Sequence, residues 1–449
     1  MPLSVPVLIE IEKLRVGMYV QLKVGWLNHP FPKSSFLLTS REQITQLRQL
    51  GLRQVRVIPE KSTIEIAADA VQGQDAQEVP LAEDESSEND PSQTATAPTP
   101  LTPSARDRAD RERALLNPRE EWDTAFVACE EQYYRLADLY QGVCSTVMVA
   151  PAEARMQVQA LVEDFVAELL GAQPFAIRLL PDVHGSRTAM HAVNVMVLST
   201  MLANALGEAA QALRGVAAAA LQHDLGKMLL PLHIAEPGTA LAPADLRRYE
   251  EHVAFSVDLC ARMGWDEEVL QAIAQHHEMA DGSGFPRRLR DQDMRLWGKI
   301  VAVVNAYDRL CNPLHGRQSL TPHNALAQMY ARERSRFDPW VLEVFIRMMG
   351  VYPPGSLVQL TDERYAQVVL VDARHPLRPS VLVFDPALGE DEARTQLLDL
   401  AQAQGLGIVR SLKPEQLPQH MLEFFAVRQY FCYFFENVRT DPPEEGKAP

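Results

Sequence analysis

The sequence predicts a multidomain protein. A mainly α-helical domain lies between a small α+β N-terminal domain and a short β-containing C-terminal extension. Three observations carry this reading. Apolar residues alternate with polar ones at the N-terminus, recur at three- and four-residue steps through the middle of the chain, and return to short strand-like runs after Pro353-Pro354. The chain has 449 residues, 47% of them hydrophobic and 23% charged, enough for two or three domains with real cores.

In the first domain, residues 1–68, Val7-Leu8-Ile9-Glu10-Ile11 and Met18-Tyr19-Val20-Gln21-Leu22 alternate as strands, with turns at Gly17 and Gly25. A helix is expected from Arg41 to Leu50, stopped by Gly51, and a further strand at Val55-Arg56-Val57-Ile58. Between Lys61 and Arg106 there is no basic residue, while acidic residues accumulate among Pro, Ser, Thr and Ala. Such a stretch cannot bury enough apolar surface to offset its ordering entropy, so residues 69–105 read as a flexible acidic linker. A helical connector follows over 106–173, with Trp122, Phe126, Cys129, Tyr133 and Leu136 at helical steps. Residues 174–350 read as helices joined by loops. The extension, 351–440, is expected to hold strands at Gln367–Asp372 and Ser380–Phe384 and a helix near Glu392–Gln404. The run FFAVRQYFCYFF (424–435) has aromatics on more than one helix face. Burial against its own domain is the first account of it, and a regulatory partner or homodimer interface the second.

A net charge of −16 argues against nonspecific binding to duplex nucleic acid. The five cysteines are scattered without a CxxC pair, as in a reduced cytoplasmic protein. No basic-then-apolar leader opens the chain, and no apolar stretch approaches the ~20 residues that span a bilayer.

The chemistry concentrates in His191, the pair His223-Asp224, His252 and the pair His276-His277. Histidine is scarce, 12 in 449 residues, yet half of it falls between 191 and 277. Imidazole and carboxylate suit Zn, Mn and Fe, and an adjacent His-Asp or His-His pair can serve two neighbouring ions. Two ions ~3.5–4 Å apart would hold the attacking and leaving oxygens of a phosphoester displacement. Lys227, three residues after Asp224, can present an ammonium to a phosphate oxygen. A lone histidine on an apolar helix is usually an ordinary core or surface residue; it is the joint pattern, HDLGK followed some fifty residues later by HHEMADGSGFP, that points to a metal centre.

At these residues the chain resembles the HD-GYP branch of the HD phosphohydrolase superfamily. The resemblance covers about residues 180–350: His191, HDLGK (223–227), His252, HHEMADGSGFP (276–286), NAYDRL (305–310) and FDP (337–339). The first sixty residues look like the uncharacterised domain that often precedes HD-GYP. The resemblance implies a cytoplasmic, metal-dependent phosphodiesterase that opens cyclic di-GMP to pGpG or GMP. It further implies two divalent ions, Fe or Mn, on His191, His223, Asp224, His252, His276, His277 and position 305. Asp224 would bridge the ions, Lys227 would contact the scissile phosphate, Gly284, Phe285 and Pro286 would shape the pocket floor, and Arg317 would meet a ligand phosphate.

Three positions depart from the pattern. Phe285 makes the loop GFP rather than GYP. Arg187 stands where trinuclear members carry a glutamate, which argues against a third ion. Asn305 stands where the family has a metal-binding aspartate, so one anionic ligand is lost and the second ion should be weakened. Asp308 reads as structural or helix-capping rather than as a replacement ligand. Asn305 therefore opens an alternative, a weak or inactive relative serving as a cyclic di-GMP receptor or interaction module.

Overall fold

The N-terminal alternation forms a four-stranded antiparallel sheet from β1 (Val7–Glu10), β2 (Tyr19–Gln21), β3 (Ser35–Leu37) and β4 (Gln54–Val57), in the order β1-β4-β2-β3. Helix α1 (Arg41–Gln49) accompanies it, and Ile9, Val20, Leu47, Val55 and Val57 form the core. The computed structural model describes residues 7–21, 35–49, 54–64, 118–171, 175–180, 186–236, 241–313, 319–372, 374–384, 395–403, 405–418, 421, 425 and 430–437. The acidic tract 69–105 and Arg317 lie outside the described residues. The chain divides into two compact units, Met1–Thr124 and Ala125–Pro449.

The larger unit is a helical bundle with a sheet. Helix α2 (Pro118–Thr146) buries Phe126, Cys129, Tyr133 and Leu136, the residues whose spacing predicts it, and α3 (Pro151–Gly171) follows. Helix α4 (Arg187–Ala205) starts on the Ser186 hydroxyl, which accepts from the Ala189 amide. It is buried on nearly every side, as a central bundle helix must be. It packs on α5 (Ala210–Gln222) and α9 (Leu296–Cys311), while α8 (Glu267–Gln275) packs on α5, α9 and α7 (Pro243–Met263). A 3₁₀ turn at Leu225–Leu229 and the short α6 (Leu232–Ala235) link α5 to α7, and α10 (Pro322–Ala331) and α11 (Pro339–Met349) complete the bundle. Among the described residues no helix is long and apolar enough to cross a membrane.

The sheet corrects the expectation of helices alone between 174 and 350. β5 (Phe175–Leu180), buried at every residue, lies in that stretch. It pairs antiparallel with β7 (Tyr365–Asp372) and with β11 (Cys432–Asn437). β6 (Leu357–Leu360) and β10 (Ile408–Leu412) extend the other end of the path, and β8 (Ser380–Phe384) joins β7 to β9 (Thr395–Asp399). A run buried on both faces has neither alternation nor helical period, so nothing local marks β5 as a strand.

Two further expectations change. The helix expected near 392–404 is, over its described residues, the strand β9, with Leu398 opposite Val381 and Leu397 opposite Leu382. Pairing with β8 overrides the helix-forming composition of EARTQLLDLAQAQ (392–404). The aromatic run ends in β11, with Tyr433 opposite Leu179 and Phe435 opposite Ile177. Phe425, Phe431, Phe434 and Phe435 are buried within their own unit. More than one face is aromatic because β11 is covered on both sides.

Candidate metal centre

Five histidines and one aspartate converge from α4, the end of α5, α7 and the end of α8. Each is nearly inaccessible, with His223, His252 and His276 fully buried and Asp224 2% exposed. His191 Nε2 lies 3.3 Å and His223 Nε2 3.4 Å from Asp224 Oδ2. On the other side of the same carboxylate, His252 Nε2 is 3.2 Å and His276 Nε2 3.6 Å from Oδ1. The side chains thus form two groups with converging ligand atoms: His191, His223 and Asp224, and Asp224, His252, His276 and His277. Asp224 belongs to both. Each of its oxygens faces one group, the arrangement a bridging ligand requires.

The imidazole orientations have a local cause. His223 and His276 stand at helix C-termini, where carbonyls lack intrahelical partners. His223 Nδ1 donates to the Ala220 carbonyl (2.7 Å), His276 Nδ1 to the Ile273 carbonyl (2.6 Å), and His252 Nδ1 to the Tyr249 carbonyl. His191 Nδ1 instead donates to Asp308 Oδ2 at 2.6 Å. With every Nδ1 proton engaged, each Nε2 carries a lone pair. Those lone pairs face one another, His191 against His223 at 3.1 Å and His252 against His276 at 3.3 Å. Two acceptors at that distance repel unless a proton or a metal ion lies among them. Asp224 Oδ1 and Asn305 Oδ1 are likewise buried without a hydrogen-bond donor. The residues present therefore fit divalent ions.

Electrostatics agree with this. Burial holds His252 and His276 down at about 4, and burial together with neighbouring positive groups holds His277 well below its ordinary value. All three are neutral near pH 7, as ligands must be. Burial opposes a charge on His191 too, but the Asp224 and Asp308 carboxylates outweigh it and raise its pKa. Burial likewise works against an ionised Asp224, yet the Lys227 ammonium, in direct contact with Oδ2, and the adjacent histidines keep the carboxyl far below its usual range.

The other expected site residues are placed as follows. Lys227 is buried on the 3₁₀ turn after Asp224. Gly226 lets that turn lie directly on α7, since a Cβ there would stand 2.3 Å from the His252 carbonyl oxygen. Phe285 stacks on His277, with ring centroids 4.4 Å apart, and precedes a cis bond to Pro286. Gly284 passes so close to residues 277–279 that a Cβ would fall 2.4 Å from the Met279 nitrogen. Buried Glu278 holds the loop by accepting from the Arg287 and Leu289 amides. Asn305 is on α9, its amide donating to the His276 carbonyl at 3.4 Å. A cavity of about 360 Å³ lies beside the first group, lined by His191, Asp224 and Lys227 together with Met228, Leu230 and Leu232.

Asn194, Asn312 and Arg309 were not anticipated, and of the two roles expected for Asp308 the structure shows the structural one. Asp308 caps no helix; it sits inside α9 and orients His191, while its Oδ1 accepts from Asn194 and Asn312, both at 2.8 Å. Asn194 and Asn312 also donate to the Phe431 carbonyl, tying the aromatic segment to this network. Arg309 donates to the Tyr249 hydroxyl at 2.6 Å and lies 3.4 Å from His277 Nε2. The available signal was spacing: 305, 308 and 309 are i, i+3 and i+4 on one helix, so they share a face.

Comparison with known proteins agrees with this organisation. An HD domain model matches residues 176–341, a domain of unknown function (DUF3391) matches 7–158, and a KOW domain associated with HD domain matches 357–420. A cyclic di-GMP phosphodiesterase of Pseudomonas aeruginosa is 29% identical over 409 residues, 88% of this chain and 89% of that protein. The cyclic di-GMP phosphodiesterase PdeB of Borreliella burgdorferi is 22% identical over 202 residues, 45% of this chain and 53% of its own length. A 3'3'-cGAMP-specific phosphodiesterase of Vibrio cholerae is 25% identical over 169 residues, 37% of this chain and 32% of its own length. With its HD pair shared between two histidine groups, its GFP loop and its N-terminal accessory domain, the chain belongs to the HD-GYP branch of the HD phosphohydrolase superfamily.

Proposed function

We propose that this protein is a metal-dependent phosphodiesterase that hydrolyses cyclic di-GMP to linear pGpG, GMP or both. The observation that carries the proposal is Asp224, one buried carboxylate whose two oxygens each face a separate group of histidines. Divalent ions, Fe or Mn, would supply Lewis acidity and an activated water when bound there. His191, His223, Asp224, His252, His276 and His277 would hold them, with the Asn305 amide oxygen completing the set. Lys227 leaves Asp224 to meet a phosphate oxygen once the carboxylate is shared with cations. Gly284, Phe285 and Pro286 fix the ring of His277 and close the floor. The relatives' names favour cyclic di-GMP over 3'3'-cGAMP, because the match to a cyclic di-GMP enzyme spans 88% of this chain and that to a 3'3'-cGAMP enzyme 37%.

The second reading, a receptor without turnover, is favoured by Asn305, which brings a neutral amide to a position suited to a carboxylate. Chromatography of products from Mn- or Fe-loaded protein separates the two readings. Conversion of cyclic di-GMP by the wild type, abolished in Asp224→Ala, is expected. Tight binding of uncleaved cyclic di-GMP, with turnover gained only in Asn305→Asp, would establish the receptor instead.

A further inference from the structure

Arg309 places a permanent cation against the second histidine group. Its guanidinium lies 3.4 Å from His277 Nε2 and donates to the Tyr249 hydroxyl at 2.6 Å. The Tyr249 ring holds it from the side, with the guanidinium carbon 5.5 Å from the ring centroid. Among the described residues no carboxylate forms an ion pair within 4 Å of Arg309; Asp224 and Asp308 act on its charge only from farther off, and with the Tyr249 hydroxyl they hold it protonated against burial. Of these two anions, Asp224 is already in contact with Lys227 and Asp308 with His191.

The chemistry of imidazole makes this contact decisive. A neutral histidine has one lone pair, and a guanidinium has donors only. While Arg309 donates to Nε2, the ring proton sits on Nδ1, so His277 can serve a metal only once that contact gives way. The same guanidinium adds a positive charge beside any ion held by Asp224, His252 and His276. Asn305 is a lesser matter at this position. Its Oδ1 is buried with no donor to satisfy it, so it remains available as a neutral ligand.

We propose that Arg309, rather than Asn305, governs occupancy of the second metal group, by taking the lone pair of His277 and standing as a resident cation next to it. The first group shares Asp224 with the second, but neither His191 nor His223 contacts Arg309 among the described residues, so the effect falls mainly on the second. This rests on the metal-centre reading above but not on the identity of the substrate.

The test counts metal and needs no substrate. Metal-free protein is titrated with Mn²⁺, following bound ion by elemental analysis and the spin state by electron paramagnetic resonance. The wild type is expected to take one ion tightly, with an isolated-ion signal, and to fill the second position only at much higher free Mn²⁺. Arg309→Met, similar in length and uncharged, should tighten the second ion ~10-fold or more, on the scale of changes beside metal ligands, and yield a spin-coupled pair at two equivalents. Arg309→Lys, which keeps the charge, should retain most of the weakness. Asn305→Asp with Arg309 intact should gain less than Arg309→Met. A spin-coupled pair in the wild type at two equivalents would overturn the proposal without any variant. So would a second site restored by Asn305→Asp and unmoved by Arg309→Met. A failure to cleave cyclic di-GMP would leave these metal counts unchanged.

Discussion

Asp308 ties a ligand histidine to the scaffold. Its Oδ2 fixes the His191 tautomer while two asparagine amides hold its Oδ1, so the carboxylate cannot turn. Such outer partners raise the basicity of a ligand imidazole and keep its ring aimed. Asp308→Asn keeps the shape and removes the charge, and we expect metal affinity to fall ~10–100-fold. Isothermal titration with Mn²⁺ would measure it, and unchanged affinity would mean that His191 needs no partner. At the same scale Asn305 and Arg309 act in the same direction on the second ion. One lacks a charge a cation would favour; the other carries a charge a cation must oppose.

At the scale of elements, the last strand is bound to the metal-bearing helices. Asn194 on α4 and Asn312 after α9 both donate to the Phe431 carbonyl, and the Phe431 amide returns a bond to Asn312 Oδ1 at 2.7 Å. Tyr133 on α2 donates to Asn194 Oδ1 at 2.9 Å. One buried amide thereby serves α2, α4, α9 and the start of β11. Asn194→Ala leaves several of these groups short of a partner, at a cost of ~1–3 kcal/mol for an unsatisfied buried group. Urea unfolding of the metal-free variant should show that loss, and its metal affinity should fall as well because Asp308 is loosened. A variant that unfolds earlier but binds metal as the wild type does would confine Asn194 to scaffolding.

Across the whole molecule, the centre couples stability to pH. His252 and His276, held at about 4 by burial, stay neutral in the folded protein while the unfolded chain takes up protons near the ordinary histidine value of ~6.5. Their contribution is complete above pH ~6.5 and is lost as the pH falls toward 4, by on the order of 3 kcal/mol for such a group. His191 runs the other way, since its raised pKa favours folding once it is protonated, and offsets part of the loss. Thermal unfolding of metal-free protein should therefore weaken between pH 6.5 and 4. Bound metal should raise the melting temperature most at the upper end, where the ligands are unprotonated. A melting temperature flat across that range would contradict buried neutral histidines.

The same scales separate what was legible from what was not. The α+β pattern of the first domain, the helices of the second unit and strands β7 and β8 are local periodicities, and all were readable. So was the candidate cluster: the HD and HH pairs at helix ends mark four of its members, the family resemblance added His191 and His252, and the fold brings all six together. β5, β9 and β11 were not, because each owes its conformation to a partner strand distant in sequence, such as β11 against β5. Periodicity alone also determined that Asn305, Asp308 and Arg309 share a face of α9. It could not say what that face meets. Only the tertiary structure put Asp308 on His191 and Arg309 on His277, from helices more than thirty residues away in the chain. Ligand identity is a property of residue type and spacing. Ligand availability depends on which charge the folded chain sets beside each lone pair.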